Sequence, residues 1–402
     1  MSSWFRSRAV TVALVTFATF TDIVAYSVAV PVLPDLSRRL GASPTVIGLL
    51  FASFGVTLLT VSLPMGAVSD RIGRRVPMVG GLVALAAATL LFASAHSLPV
   101  LFAARLVQGA ADAVTWVVGF AMIADRYDAD ERGRVTGIVM SGTSFAFMIG
   151  PSIGGWLYEL GGIHLPFLFV TGLAIASALA FLLIEVPAAH STRESAPLMA
   201  VLRLPAVAAC TIAVVAASST LSMLEPVLAL HLANLSIGPA RIGLLFGVGA
   251  ALNALVHPAC GHLADRWGAR RMMLLGLTLS AFALALAGQS WSFTSAIAFQ
   301  LPLVGTMALM ITPSLAYMAE ATSLGGARSF GVAYGLYNMA WGAGLLGGPA
   351  LGGFLVERLG FPRLVFAWAP ALLAITWLLA GVQSSESPTE EHVCDGPARL
   401  LR

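Results

Sequence analysis

Lysine is missing altogether: all 22 basic residues of the 402-residue chain are arginine, so no ε-amine is available for Schiff-base chemistry. Charge of either sign is scarce, at 10% of residues, against about 25% in soluble domains. Cysteine occurs only at 210, 260 and 394, too far apart to read as a disulfide framework or a metal cluster. No nucleophile–base pair or phosphate-binding loop is evident, so an enzyme is not expected, and neither is a cofactor or a metal. What fills the chain is apolar: 58% of residues, with a mean hydropathy of +0.88. A soluble core cannot absorb that much, so the lipid bilayer is the expected solvent.

Apolar stretches of spanning length fall near 9–33, 45–68, 76–95, 98–124, 134–158, 165–185, 205–230, 240–263, 272–289, 292–320, 329–356 and 362–382. They predict an all-α membrane protein of twelve transmembrane helices. The first stretch spans fully and carries Asp22, which makes a poor signal-peptide core, so it is expected to be retained. One arginine, Arg105, lies well inside a stretch and the rest at or beyond the ends; Arg38, Arg39, Arg241, Arg358 and Arg363 fall at one face and the other sixteen at the opposite face. The positive-inside rule then places both termini in the cytoplasm, and a bacterial inner membrane is the expected location. The net charge of +3 reflects this topology, and no nucleic-acid partner is expected.

The chain repeats. Gly66, Asp70, Arg71, Gly73 and Arg75 recur 195 positions later as Gly261, Asp265, Arg266, Gly268 and Arg270. Gly150, Pro151, Gly154 and Gly155 recur 198 positions later as Gly348, Pro349, Gly352 and Gly353. Duplication of a six-helix unit predicts two pseudo-symmetric bundles, 1–185 and 205–382, with a cavity between them. Residues 186–204 read as a polar cytoplasmic linker and 383–402 as a disordered tail.

Four acids sit on the apolar stretches: Asp22, Asp112, Glu225 and Glu320. An ionisable group at bilayer depth costs roughly 3 kcal/mol or more, and survives mainly where it lines a water-filled path or carries a proton. Asp22 lies about 14 residues, or about 21 Å, into its helix, close to midplane. Arg105, Gln108 and Asp112 form a polar stripe with Trp116 one turn beyond. There Arg105 is either a structural partner of a carboxylate or biases proton release from a neighbouring acid. Glu225 precedes Pro226, which frees a backbone carbonyl and lets the helix bend beside the acid. Glu320 shares a face with Tyr317 and is either a coupling acid or a surface acid near a helix end. Tyr334, Tyr337, Asn338 and Trp341 share one helical face, expected with Tyr26, Trp116 and Tyr317 to line the substrate cavity, the rings offering cation–π contact to an ammonium.

The loop Gly66 to Arg75, the run Arg105-Leu-Val-Gln108-Gly109 and the run Gly150-Pro151-Ser-Ile-Gly154-Gly155 resemble the signature loop, the proton-coupling motif and the antiporter motif of the major facilitator superfamily. Asp22 with Val30-Pro31-Val32-Leu33-Pro34, Met223-Leu224-Glu225-Pro226 and Pro313 to Glu320 are similar to acid-bearing motifs of vesicular monoamine and acetylcholine transporters and their bacterial relatives. The resemblance implies that Asp22 and Glu225 engage a substrate ammonium and that Glu320 couples protons. It also implies that the glycines and prolines of the repeats, with Asp70, Arg71, Asp265 and Arg266, gate the motion of the halves, the charges latching an outward-facing state. Where monoamine members pair a lysine with an aspartate, this chain has Phe54 and Asn338, and Asp112 is an addition.

The expected function is proton-coupled antiport of an amphipathic, cationic or amine-containing small molecule by a monomer, driven by the proton gradient. A carrier of a neutral solute, such as a sugar, is the alternative within that class, and a sensor or uncoupled channel the alternative outside it.

Overall fold

The computed structural model describes residues 8–127, 129–183, 203–324 and 330–382; the linker 186–204 and the tail 383–402 therefore lie outside the described residues, apart from Arg203 and Leu204. All twelve apolar stretches are helical. They are α1 (Arg8–Ser27) continued by α2 (Leu33–Leu40), α3 (Pro44–Ile72), α4 (Arg75–Ala93), α5 (Leu98–Arg126), α6 (Ala129–Gly161) and α7 (His164–Leu183) in the first half. The second half holds α8 (Pro205–Asn234), α9 (Pro239–Trp267), α10 (Ala269–Ala287), α11 (Phe293–Leu324), α12 (Phe330–Leu359) and α13 (Phe361–Ala380).

The first stretch is not one helix. α1 stops at Ser27, a single 3-10 turn spans Val30–Val32, and α2 resumes at Leu33, because Pro31 and Pro34 supply no N–H to continue the ladder. Several other helices run two to five residues past their apolar stretch, as α3 does through Ser69, Asp70 and Arg71. Gly73 (φ 86°) and Gly268 (φ 92°), counterparts in the repeat, turn the chain into α4 and α10 through a backbone region that L side chains avoid.

Consecutive helices are antiparallel, so residues 8 and 382 lie at one end, the terminal end, and the loops 41–43 and 235–238 at the other, the distal end. Within each half the glycine motif lets a helix approach its neighbour: Gly150 lies on Ser27 and Val24 of α1, and Gly348 lies on Ser219 and Ser222 of α8. Between halves, the main seams are α6 on α9 and α3 on α12. Large apolar side chains such as Leu255 and Trp377 stand exposed around the outside, as they do on a lipid-facing wall.

Candidate functional site

On α1, Asp22 and Tyr26 are one turn apart and share a face. On α5, Arg105, Gln108, Asp112 and Trp116 recur at spacings of three and four and share another. The two faces meet. The Asp22 carboxyl contacts the Asp112 carboxyl and the Trp116 side chain, with Asp22 1% and Asp112 7% exposed. Asp22 Oδ2 has no N–H or O–H donor among the described residues, since a facing carboxyl becomes a donor only when it carries a proton. Two carboxyls buried against each other at this depth are costly as two anions and favourable as a pair that shares one proton.

Arg105 is fully buried, yet no carboxylate among the described residues lies within ion-pair distance of it. Its Nη1 donates to Gln108 Oε1 at 2.8 Å, and Nε and Nη2 have no hydrogen-bond acceptor among the described residues. Three rings surround the guanidinium instead: Phe51 at 4.1 Å, Phe92 at 5.2 Å and Tyr26 at 5.4 Å from Cζ to centroid. Of the two readings of Arg105, the structural tie to a carboxylate is thus not seen among the described residues, and an aromatic cage stands in its place, stabilising a desolvated cation through ring quadrupoles. Phe54, one of the two departures from the monoamine pattern, is buried beside it, its ring 5.2 Å from that of Tyr26.

Tyr26 also crosses between the bundles: its hydroxyl donates to Glu225 Oε2 at 2.7 Å. Glu225 sits on α8, which runs through Pro226 as one helix. Tyr26 is one turn further toward the distal end than Asp22, so this bond closes over the carboxyl pair from the distal side. All hydrogen bonds between described residues of the two bundles lie at this level or beyond it. Besides Tyr26 to Glu225, they join Ser152 to Gly243, Thr45 to Gly353, Ser43 and the helix start at Thr45 to Glu357, and the helix start at Ala240 to Glu159.

The remaining expected residues are placed less centrally. Glu320 is exposed, within one turn of the end of α11, outside the buried acid group. Its stretch was read as ending at the acid, whereas the helix continues to Leu324. Tyr317 and Tyr337 are buried in the core of the second half, where the Tyr337 hydroxyl accepts from Ser314 Oγ at 3.2 Å and its ring stacks on Trp341 at 6.3 Å. Asn338 is exposed, and the side chain of Tyr334 lies outside the described residues.

Among the described residues, the ion pairs and hydrogen bonds seen for the repeated loop join parts of the same half. Asp70 pairs with Arg74 at 2.6 Å, and Arg74 reaches Asp125 at 2.9 Å and Ser69 Oγ at 2.6 Å. Arg75 donates to the Leu182 carbonyl at the end of α7, and Arg270 donates to the carbonyls of Leu379, Ala380 and Val382 around the end of α13. A cation at a helix C-terminus satisfies orphan carbonyls and complements the dipole. Arg71, Asp265 and Arg266 are exposed. Arg74, buried at the centre of this network, was missed by the sequence reading. Its signal was there in a second arginine beside Arg75 and an acid, Asp125, at the end of α5.

A model of the Major Facilitator Superfamily matches residues 15–227 and 208–399. The chain is 28% identical to the vesicular acetylcholine transporter of Drosophila melanogaster, over 92% of this chain and 70% of that protein. It is 27% identical to the chromaffin granule amine transporter of Homo sapiens, over 80% of this chain and 62% of that protein. Among solved structures, a bacterial homolog of the human lysosomal transporter Spinster, inward-facing and occupied, superposes with a TM-score of 0.82 at 15% identity, over 95% of this chain and 98% of that one. The unoccupied inward-facing form gives 0.74 at 16% identity, over 94% and 96%. At these identities the two structures speak to the fold alone.

Proposed function

The chain belongs to the Major Facilitator Superfamily, and on that premise we propose that it is a proton-coupled antiporter of amphipathic cationic or amine-containing small molecules. It works as a monomer by alternating access, with no resident cofactor, in a bacterial inner membrane with the terminal end in the cytoplasm. The observation that carries this reading is the Asp22–Asp112 carboxyl pair, buried beside Trp116 and covered on the distal side by Tyr26 and Glu225. The names of the relatives, acetylcholine and amine transporters, support an ammonium as the cargo.

The pair gives a simple exchange rule. Carboxyls that share a proton are neutral enough to stay buried, and an ammonium arriving at them supplies the same neutralising charge, so proton and cation displace each other. Glu225 adds a second contact for the cation, and engaging it competes with Tyr26 for the same oxygen. Cargo that takes Glu225 from Tyr26 removes a bond between the halves, which links occupancy to the freedom of the bundles to rock. Arg105, held by its ring cage on the other side of Tyr26, keeps a fixed positive charge near Glu225.

The test is proton release in proteoliposomes with an internal pH dye. Addition of a permanently charged quaternary amine to the wild type is expected to release protons and to be accumulated against its gradient when a pH difference is imposed. Asp22→Asn is expected to do neither. Exchange surviving in Asp22→Asn at the wild-type rate rules out the role given to the pair.

A further inference from the structure

Two glutamates that no motif includes bridge the bundles at the distal end. Glu159 ends α6 and Glu357 ends α12, and they are counterparts 198 positions apart, like the glycine motifs of the same helices. Each reaches across to the other half and accepts a hydrogen bond from the first turn of a helix. Glu159 Oε1 accepts from the Ala240 amide of α9 at 3.0 Å. Glu357 Oε2 accepts from the Thr45 amide of α3 at 3.0 Å and from Ser43 Oγ at 2.7 Å. Ala240 and Thr45 are themselves counterparts, 195 positions apart.

The first amides of a helix have no partner of their own. Ordinarily a side chain immediately before the helix caps them. At α9 that position is Gly238, which has no side chain to offer, and no local side chain caps the helix. At α3, Ser43 does accept from Val46 N at 3.4 Å, but it also donates onward to Glu357. A cap imported from the opposite bundle, twice and symmetrically, joins two rigid bodies where a local cap would serve only one helix. Beneath each cap the backbones are already in contact: Gly155 lies on Pro239 and Ala240, and Gly353 on Pro44 and Gly48.

We propose that Glu159 and Glu357 form a matched pair of cross-bundle helix caps that latch the distal end in its closed state. Both side chains are exposed, so water replaces either bond on opening and the cost of release is modest. That modesty suits a gate that opens in every cycle. The latch also differs in kind from the Tyr26–Glu225 bond below it, because cargo does not compete for it. Its strength therefore sets the resting balance between open and closed distal ends independently of occupancy.

The experiment is a spin-label distance measurement in nanodiscs between His96 and Gln289, each replaced by a labelled cysteine. Both are exposed on distal loops, one in each half. The backgrounds are wild type, Glu159→Ala, Glu357→Ala, the double alanine variant and the double glutamine variant. Loss of one helix cap is worth about fivefold in an equilibrium, so each single variant is expected to raise the ratio of long to short distances about fivefold. The double variant is expected to raise it about 25-fold if the two caps act on one motion. Glutamine keeps an acceptor without the charge and should fall between wild type and double alanine, which also covers the case in which the alanine variants fold poorly. Proton release on cation addition, measured in parallel, is expected to persist, so failure of the latch is separable from failure of the antiport reading. Distance distributions of the double alanine and double glutamine variants that superimpose on the wild type overturn the proposal.

Discussion

The two halves share a scaffold and differ in what they bury. At the offset of 195, Arg105, Gln108, Asp112 and Trp116 of α5 correspond to Gln300, Leu303, Met307 and Ile311 of α11. The first half carries both charge types in its interior, and the second half carries neutral side chains at the same positions and contributes Glu225 from a different helix. What the halves kept in common is mechanical: the glycine seams, the arginines that fasten α7 and α13, and the turns at Gly73 and Gly268. Duplication preserved the seams and turns and left the buried carboxyl pair and its arginine to one side, so the halves are counterparts in packing and not in buried charge.

The same comparison explains Glu320. Its counterpart is Asp125, which is held by Arg74 at 2.9 Å. The counterpart of Arg74 is Ala269. With no guanidinium to receive it, the carboxylate of the second half stays in the open at the helix end.

Making α5 resemble α11 should have the largest effect. Asp112→Asn removes one member of the carboxyl pair and a charge-assisted hydrogen bond, and is expected to slow pH-driven exchange roughly tenfold or more; exchange at the wild-type rate would make Asp112 a bystander. Arg74→Ala makes the first loop resemble the second and leaves Asp70 and Asp125, both partly buried, without their shared cation. A loss of about 2 kcal/mol is expected, discounted for their partial exposure, and read as a lower thermal midpoint in detergent. The smallest effect is the reciprocal change. Ala269→Arg gives Glu320 the partner its counterpart has, and is expected to stabilise by at most about 0.5 kcal/mol, declining with added salt.

Most of the fold was legible in the sequence. Segment length, hydropathy and two repeats at nearly one offset were enough for twelve helices in two bundles, because bilayer thickness and backbone hydrogen bonding leave few alternatives. The break after Ser27 was written in Pro31 and Pro34 and was read as part of a motif. Helix ends ran past the apolar stretches because caps and surface charges, unlike spans, need no hydropathy.

The site was legible in its members and not in its pairings. Asp22, Tyr26, Asp112, Trp116 and Glu225 were singled out as individuals, but periodicity fixes only which residues share a face of one helix. Which face meets which depends on packing between helices. That is why the sequence places Asp112 on one stripe with Arg105 without showing that it faces Asp22, and why it gives no sign of the rings of Phe51 and Phe92 around Arg105. Glu159 and Glu357 carried a signal, the same offset as their neighbouring glycines, which was passed over because neither lies at bilayer depth.

Arg75 and Arg270 each tie the last helix of a half back to its third. Under the proposed alternating access, a half fastened in this way is expected to tilt as a plate, so movement at one rim is transmitted to the other with little lost to bending. The seam near Tyr26 and Glu225 would then serve as a fulcrum, and separation at the distal rim would be matched by approach at the terminal rim. Leakage through both rims at once would require a plate to fold, which the two arginines resist.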